Sequence, residues 1–139
     1  MAGLEEEIKT FCMNEGIELA GIAGKERLKG PPSLDPSYIM RGARSIVSFA
    51  LPMDVNGIYD WFSKKTQVTH QLDQVVMNQQ AREKAEKIAR FLRDKGYRSR
   101  AVATNNNYRR SPDVFKTYPT FSHRFGAIAA GIAGQGWSG

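Results

Sequence analysis

Residues 70–95 constrain the fold more than any other stretch of the chain. Met77, Ala81, Ala85, Ile88 and Leu92 recur at three- and four-residue spacing, which lays one apolar stripe along a helix of about seven turns. Glu83 with Lys87 and Glu86 with Arg90 form favourable i,i+4 pairs on its polar face. Gly96 then stops the helix. The stripe has to be covered, and the flanking segments suit that task. SIVSFALPM (Ser45 to Met53) is β-branched, aromatic and almost wholly apolar, the pattern of a strand buried on both faces. YRSRAVAT (Tyr97 to Thr104) follows the helix as a second strand. A long helix between two strands predicts a crossover and a sheet with some parallel pairing. The expected class is therefore α/β, with α+β as the alternative: a mixed sheet flanked by helices.

The rest of the chain supplies shorter elements. Leu4, Ile8, Phe11 and Cys12 share one stripe of a helix over residues 4–15, with Glu5, Glu6 and Glu7 at its dipole-favoured start and Gly16 as its C-cap. IELAGIA (residues 17–23) alternates loosely and predicts a strand. Pro31 and Pro32 break the following loop. Asp35 or Ser37 caps a short helix that ends near Gly42. Ile58, Tyr59, Trp61 and Phe62 predict a short helix or loop packed on the core, with a lid over a ligand site as the functional alternative. NNNYRRSPDVFKTYPT (Asn105 to Thr120) reads as a long polar loop, and loops of that length in compact domains are often functional.

FSHRFGAIAAGIAG reads as a last helix with Ser122 as N-cap and Phe125, Ile128, Ala129 and Ile132 on its apolar stripe. Its glycines need a reason, since each costs on the order of 1 kcal/mol of helix stability. Gly126, Ala130 and Gly134 fall at i, i+4, i+8, and Ala127 and Gly131 at i, i+4. One reason is close packing on a sheet. The other is a backbone that approaches a flat ligand, extended by Gly136, Trp137 and Ser138, with Trp137 as a stacking face. On the second reading Gly131→Leu blocks ligand binding and costs little more stability than Gly131→Ala. Arg109 and Arg110 follow a predicted strand, where ligands of open α/β sheets gather, and their guanidinium groups suit phosphate or carboxylate.

Composition narrows the function. With 139 residues the chain suits one domain. No apolar run approaches the roughly 18 residues that span a bilayer, and the acidic start is unlike a signal peptide, so a cytoplasmic protein is expected. Cys12 is the single cysteine, so neither an internal disulfide nor a four-thiolate cluster is available, and its place on an apolar stripe makes it a core thiol. The net charge of +6 favours an anionic partner, a phosphate-bearing cofactor or RNA, although the basic residues are spread out among acidic ones. The two histidines, His70 and His123, lack metal-ligand spacing, and no metal site is expected. His70 reads as an exposed residue at a helix start. GIAGQG (Gly131 to Gly136) lacks the spacing and the preceding strand of a dinucleotide fingerprint.

Taken in order, "GIELAGIA", "RGARSIVSFALPM", the long helix with "YRSRAVAT", and "FSHRFGAIAAGIAGQGWSG" resemble the N-terminal region of epoxyqueuosine reductases and the related corrinoid-dependent reductive dehalogenases. In that family a segment like "AGLGWIGKN" ends the equivalent helix, and here "AGQGWSG" (Ala133 to Gly139) stands in its place. The resemblance covers essentially the whole chain. It implies a nitroreductase-like, cobalamin-binding domain, with the small-residue helix and Gly-Trp-Ser-Gly turn against the corrinoid and residues 105–120 shaping the site. It also implies a tRNA partner and a ferredoxin-like domain with two [4Fe–4S] clusters, whose cysteines this chain does not carry. Residues 1–139 are thus expected to be one truncated N-terminal domain, unable to turn over alone. Where epoxyqueuosine reductases carry an acid before this helix, the chain has Thr120, with Asp113 seven residues earlier. Two alternatives stand beside this reading: a non-enzymatic ligand-binding or interaction module on the same scaffold, and a protein that holds FMN with Arg109, Arg110 and Trp137. An open strand edge would also favour a homodimer.

Overall fold

Three of the helices stop in the same way, and these stops set where the chain turns. In the computed structural model, which describes residues 3–103 and 121–137, α1 (Leu4–Asn14), α3 (Val68–Asp94) and α4 (His123–Ala129) each end in a glycine with positive φ. Those glycines are Gly16 (φ 76°), Gly96 (φ 90°) and Gly131 (φ 78°). Each donates to a carbonyl three residues back: Gly16 to Met13, Gly96 to Arg93 and Gly131 to Ile128. The next residue donates five back: Ile17 to Cys12, Tyr97 to Leu92 and Ile132 to Ala127. This is the paired bond pattern of the Schellman motif, which satisfies orphan carbonyls and needs a left-handed residue. Side chains cap the starts of three elements, whereas α1 and α3 begin without a side-chain cap. The Asp35 carboxylate caps a 3₁₀ turn at Pro36–Tyr38 by accepting from the Ser37 amide at 2.9 Å. Ser122 caps α4, accepting from the Phe125 amide at 3.4 Å. Asp54 caps α2 (Val55–Phe62) by accepting from the Asn56 amide at 3.1 Å.

β1 (Leu19–Gly24) and β2 (Ser45–Ala50) pair antiparallel, with Ile22 opposite Val47 and Ala23 opposite Ile46. Side chains alternate across the pleat, so each face of this ribbon carries its own cluster. On one face Ala20, Ile22, Val47 and Phe49 pack on buried Ile8, Cys12, Ile17 and Ile88 of the α1–α3 side. Phe11 of α1 stacks on Phe91 of α3 with centroids 4.4 Å apart. On the other face Ala23 and Ile46 meet Phe121 and α4. Glycine lets α4 come this close: a Cβ on Gly21 would collide with the Ala130 carbonyl oxygen, and one on Gly126 would lie 2.9 Å from Phe121.

The architecture is a mixed α+β fold, the alternative reading of the sequence and not the α/β class expected first. Among the described residues the sheet has two antiparallel strands, and no parallel pair forms. Residues 97–103 follow α3 as predicted but join no ladder. Their carbonyls bond side chains instead: Arg93 donates to the Ser99 carbonyl at 3.1 Å and His123 Nε2 to the Ala103 carbonyl at 3.1 Å. β2 is covered on both faces but stays half-buried, and among the described residues its outer edge has no neighbouring strand. The expected i,i+4 pairs of α3 also give way to longer reaches. Lys87 pairs with Glu15 of the α1 cap at 3.1 Å, and Glu86 with Arg93 at 2.7 Å. Tertiary contact decides which partner a long side chain takes.

α2 forms, but it does not join the core. It lies on the first turns of α3, where Gly57 faces Thr69 and the Asp54 amide donates to Asp73 Oδ2 at 2.9 Å. Trp61 sits 5.5 Å from the His70 ring, while Tyr59 and Phe62 point to solvent. His70 is therefore half-buried and not exposed as its position suggested, and its Nδ1 is buried without a hydrogen-bond partner. No helix among the described residues is long and apolar enough to cross a membrane.

Candidate functional site

Two places compete for a ligand, and they do not coincide. The first is the glycine-rich C-terminal surface. α4 ends at Ala129, so the helix does not continue through Gly134 as its small-residue spacing suggested. That changes the reason for each glycine. Gly126 packs beneath Phe121 and Ile46, the close-packing explanation. Gly131 is the left-handed stop of the helix, and its presence needs no ligand. Gly131, Gly134 and Gly136 all have open space where a Cβ would stand. Trp137 is fully exposed. The surface around these four residues is thus free for a flat molecule to approach, with an indole available for stacking. Arg109, Arg110 and Ser138 lie outside the described residues, as do Asp113 and Thr120.

The second place is a groove of about 670 Å³, within the range of small-molecule and cofactor pockets. Its floor is apolar: Ile8 of α1 with Ala85, Ile88 and Leu92 of α3. One wall is β2 from Ser45 to Phe49, and the facing wall is the chain from Tyr97 to Ala103. The α3 stripe read from the sequence therefore does two jobs, core at Ile88 and groove lining at Met77, Ala81 and Ala85. Arg82, Arg98 and Arg100 stand at the groove, with Glu5 as the one carboxylate among the described residues. Glu5 is bound to Lys9 at 2.8 Å, and that hydrogen bond holds its carboxyl below the usual carboxylate range. His123 lines the groove too, with its ring held by the Ala103 carbonyl, and it is bonded to no nucleophile or carboxylate among the described residues.

None of Gly131, Gly134, Gly136 and Trp137 is among the lining residues of this groove, and neither is any residue of α2. The sequence pattern missed the groove because its two walls are far apart in the chain and become neighbours only when α3 folds back over the ribbon. Cys12 is completely buried, and burial raises its thiol above the usual range, which suits packing and not chemistry. No group of three metal-ligating side chains occurs among the described residues. Comparison with family models, curated proteins and solved structures gives no match for the chain.

Proposed function

We propose that this chain is the N-terminal, ligand-binding domain of an epoxyqueuosine-reductase-like iron–sulfur oxidoreductase with a nitroreductase-like scaffold. One observation carries the reading. The Ala-Gly-x-Gly-Trp-x-Gly turn at Ala133 to Gly139 follows a capped small-residue helix, and Gly131, Gly134, Gly136 and Trp137 leave its surface open. These residues fit one face of a flat macrocycle: backbone without Cβ atoms allows close approach, and the indole allows stacking. A corrinoid held there would supply cobalt-centred electron transfer. The chain's own part would be to seat the ring and shield one face. With one cysteine it holds no cluster, so electrons would come from [4Fe–4S] centres of a ferredoxin-like domain. Arg109, Arg110 and Ser138 would engage anionic groups of the cofactor, and the net charge of +6 is compatible with a tRNA-borne substrate. FMN at the same surface is the flavin version of this proposal.

A second reading is favoured by the groove, whose size and apolar floor suit a binding module that needs no redox partner. One titration separates the two. Hydroxocobalamin and FMN are added to the purified chain while tryptophan emission is followed, with Trp137→Phe as control. Quenching by hydroxocobalamin that disappears in Trp137→Phe supports the corrinoid surface. The same behaviour with FMN alone transfers the reading to a flavin. Emission from Trp137 that neither compound changes overturns the C-terminal site and leaves the groove.

A further inference from the structure

The outer edge of β2 and the chain over residues 97–103 line one groove, and among the described residues both have backbone groups without a ladder partner. We propose that the groove between β2 and residues 97–103 is a slot for an extended acidic peptide segment, which enters as an added β-strand. Among the described residues all ladder bonds of β2 go to β1, and no other backbone–backbone bond reaches Ser45–Ala50. Every second residue of β2 therefore turns its N–H and C=O away from β1 with no backbone partner among the described residues. Across the groove the Tyr97 amide donates to the Leu92 carbonyl, and the amides of residues 98–103 bond no backbone group among the described residues. A strand laid between the two walls would give backbone partners to both sides at once.

The occupant follows from the walls and the rim. The five β2 residues that line the groove span about 13 Å at the rise of a strand, so they match a segment of about five residues. The floor of Ile8, Ala85, Ile88 and Leu92 takes apolar side chains at alternate positions. Three arginines against one carboxylate, itself bound to Lys9, favour acidic side chains at the positions between. Arg100 is engaged with the Ile39 carbonyl at 3.0 Å, whereas Arg82 and Arg98 carry no ion pair among the described residues.

The test uses the whole chain and the peptide acetyl-Glu-Val-Glu-Ile-Glu-Val-Glu-amide, with amide exchange read by NMR. Binding is expected to slow exchange at alternate residues of Ser45–Ala50 and to be at least about tenfold weaker when alternate peptide nitrogens are methylated, because the ladder bonds are lost. Arg82→Glu with Arg98→Glu should weaken this peptide and favour a version with lysine in place of glutamate. No binding at about 1 mM overturns the proposal. So does binding that leaves β2 exchange unchanged, or that tolerates N-methylation. Dimers in sedimentation that vanish on blocking β2 would also overturn it, in favour of a second copy.

Discussion

Gly21→Ala is the substitution whose sign tests the packing most sharply. By itself an alanine in a strand should help, because it narrows the unfolded ensemble by about 0.4–1 kcal/mol. Here the new methyl would collide with the Ala130 carbonyl oxygen and stand 2.8 Å from Ile132 Cγ2 and 3.2 Å from the Ala130 carbonyl carbon. Carbon contacts are optimal at about 3.5–4.0 Å. The first atom met is backbone, so no rotamer change relieves it. α4 has to move off the ribbon, and its contacts with Ala23 and Ile46 loosen with it. Overpacking of this kind costs about 1–3 kcal/mol. Subtracting the entropic gain leaves a net loss of about 0.5–2 kcal/mol, toward the upper end because backbone yields least. Urea unfolding followed by circular dichroism should show a midpoint lower by roughly 0.5–1 M with an unchanged slope. Gly136→Ala, where the Cβ meets nothing, is the control and should leave the midpoint in place. A Gly21→Ala protein as stable as the original, or more so, would refute the claim that this glycine lets α4 dock.

Gly131→Ala and Gly131→Leu should each lose about 1–2 kcal/mol, because both place a side chain at φ 78° and neither meets a neighbour. A loss much larger for leucine, measured in the same urea titration, would mean that packing and not backbone handedness holds that position. The Cys12 thiol should resist an aromatic disulfide reagent in the folded protein and react at once in urea, since it is fully buried with a raised pKa. Fast native reaction would show that the α1–β1 corner opens readily. Ser37 donates to Asp35 from both its hydroxyl and its amide, and these bonds hold the carboxyl below the usual range. A carboxylate depressed in the folded state stabilises above its unfolded pKa, and that contribution is lost as pH falls through the folded value. The stability gap between the original protein and Asp35→Ala should therefore narrow as acid is added. A gap that stays constant from pH 7 into that range would remove the carboxylate from the cap.

Local chemistry was legible in the residues themselves. The apolar period of α1 and α3, the caps at Asp35 and Ser122, and the stops at Gly16 and Gly96 depend on spacing within a few residues, so composition along the chain determines them. Asp54 could have been read the same way, as an N-cap just after Pro52 and before an apolar group. What sequence alone left open is everything that needs two distant segments to meet. It could not show that residues 97–103 would stay out of the sheet, because strand propensity does not say whether a neighbouring edge lies within hydrogen-bonding reach. Nor could it divide the labour of the α4 glycines. Gly126 answers to Phe121 and Ile46, Gly131 to backbone handedness, and Gly134 and Gly136 to open space. Helical spacing makes these four look alike, and only the docking of α4 on Gly21 tells them apart. The groove is tertiary in the same sense. Its floor is an α3 stripe visible in the sequence, but its walls are two extended segments about fifty residues apart, brought face to face when α3 crosses the ribbon.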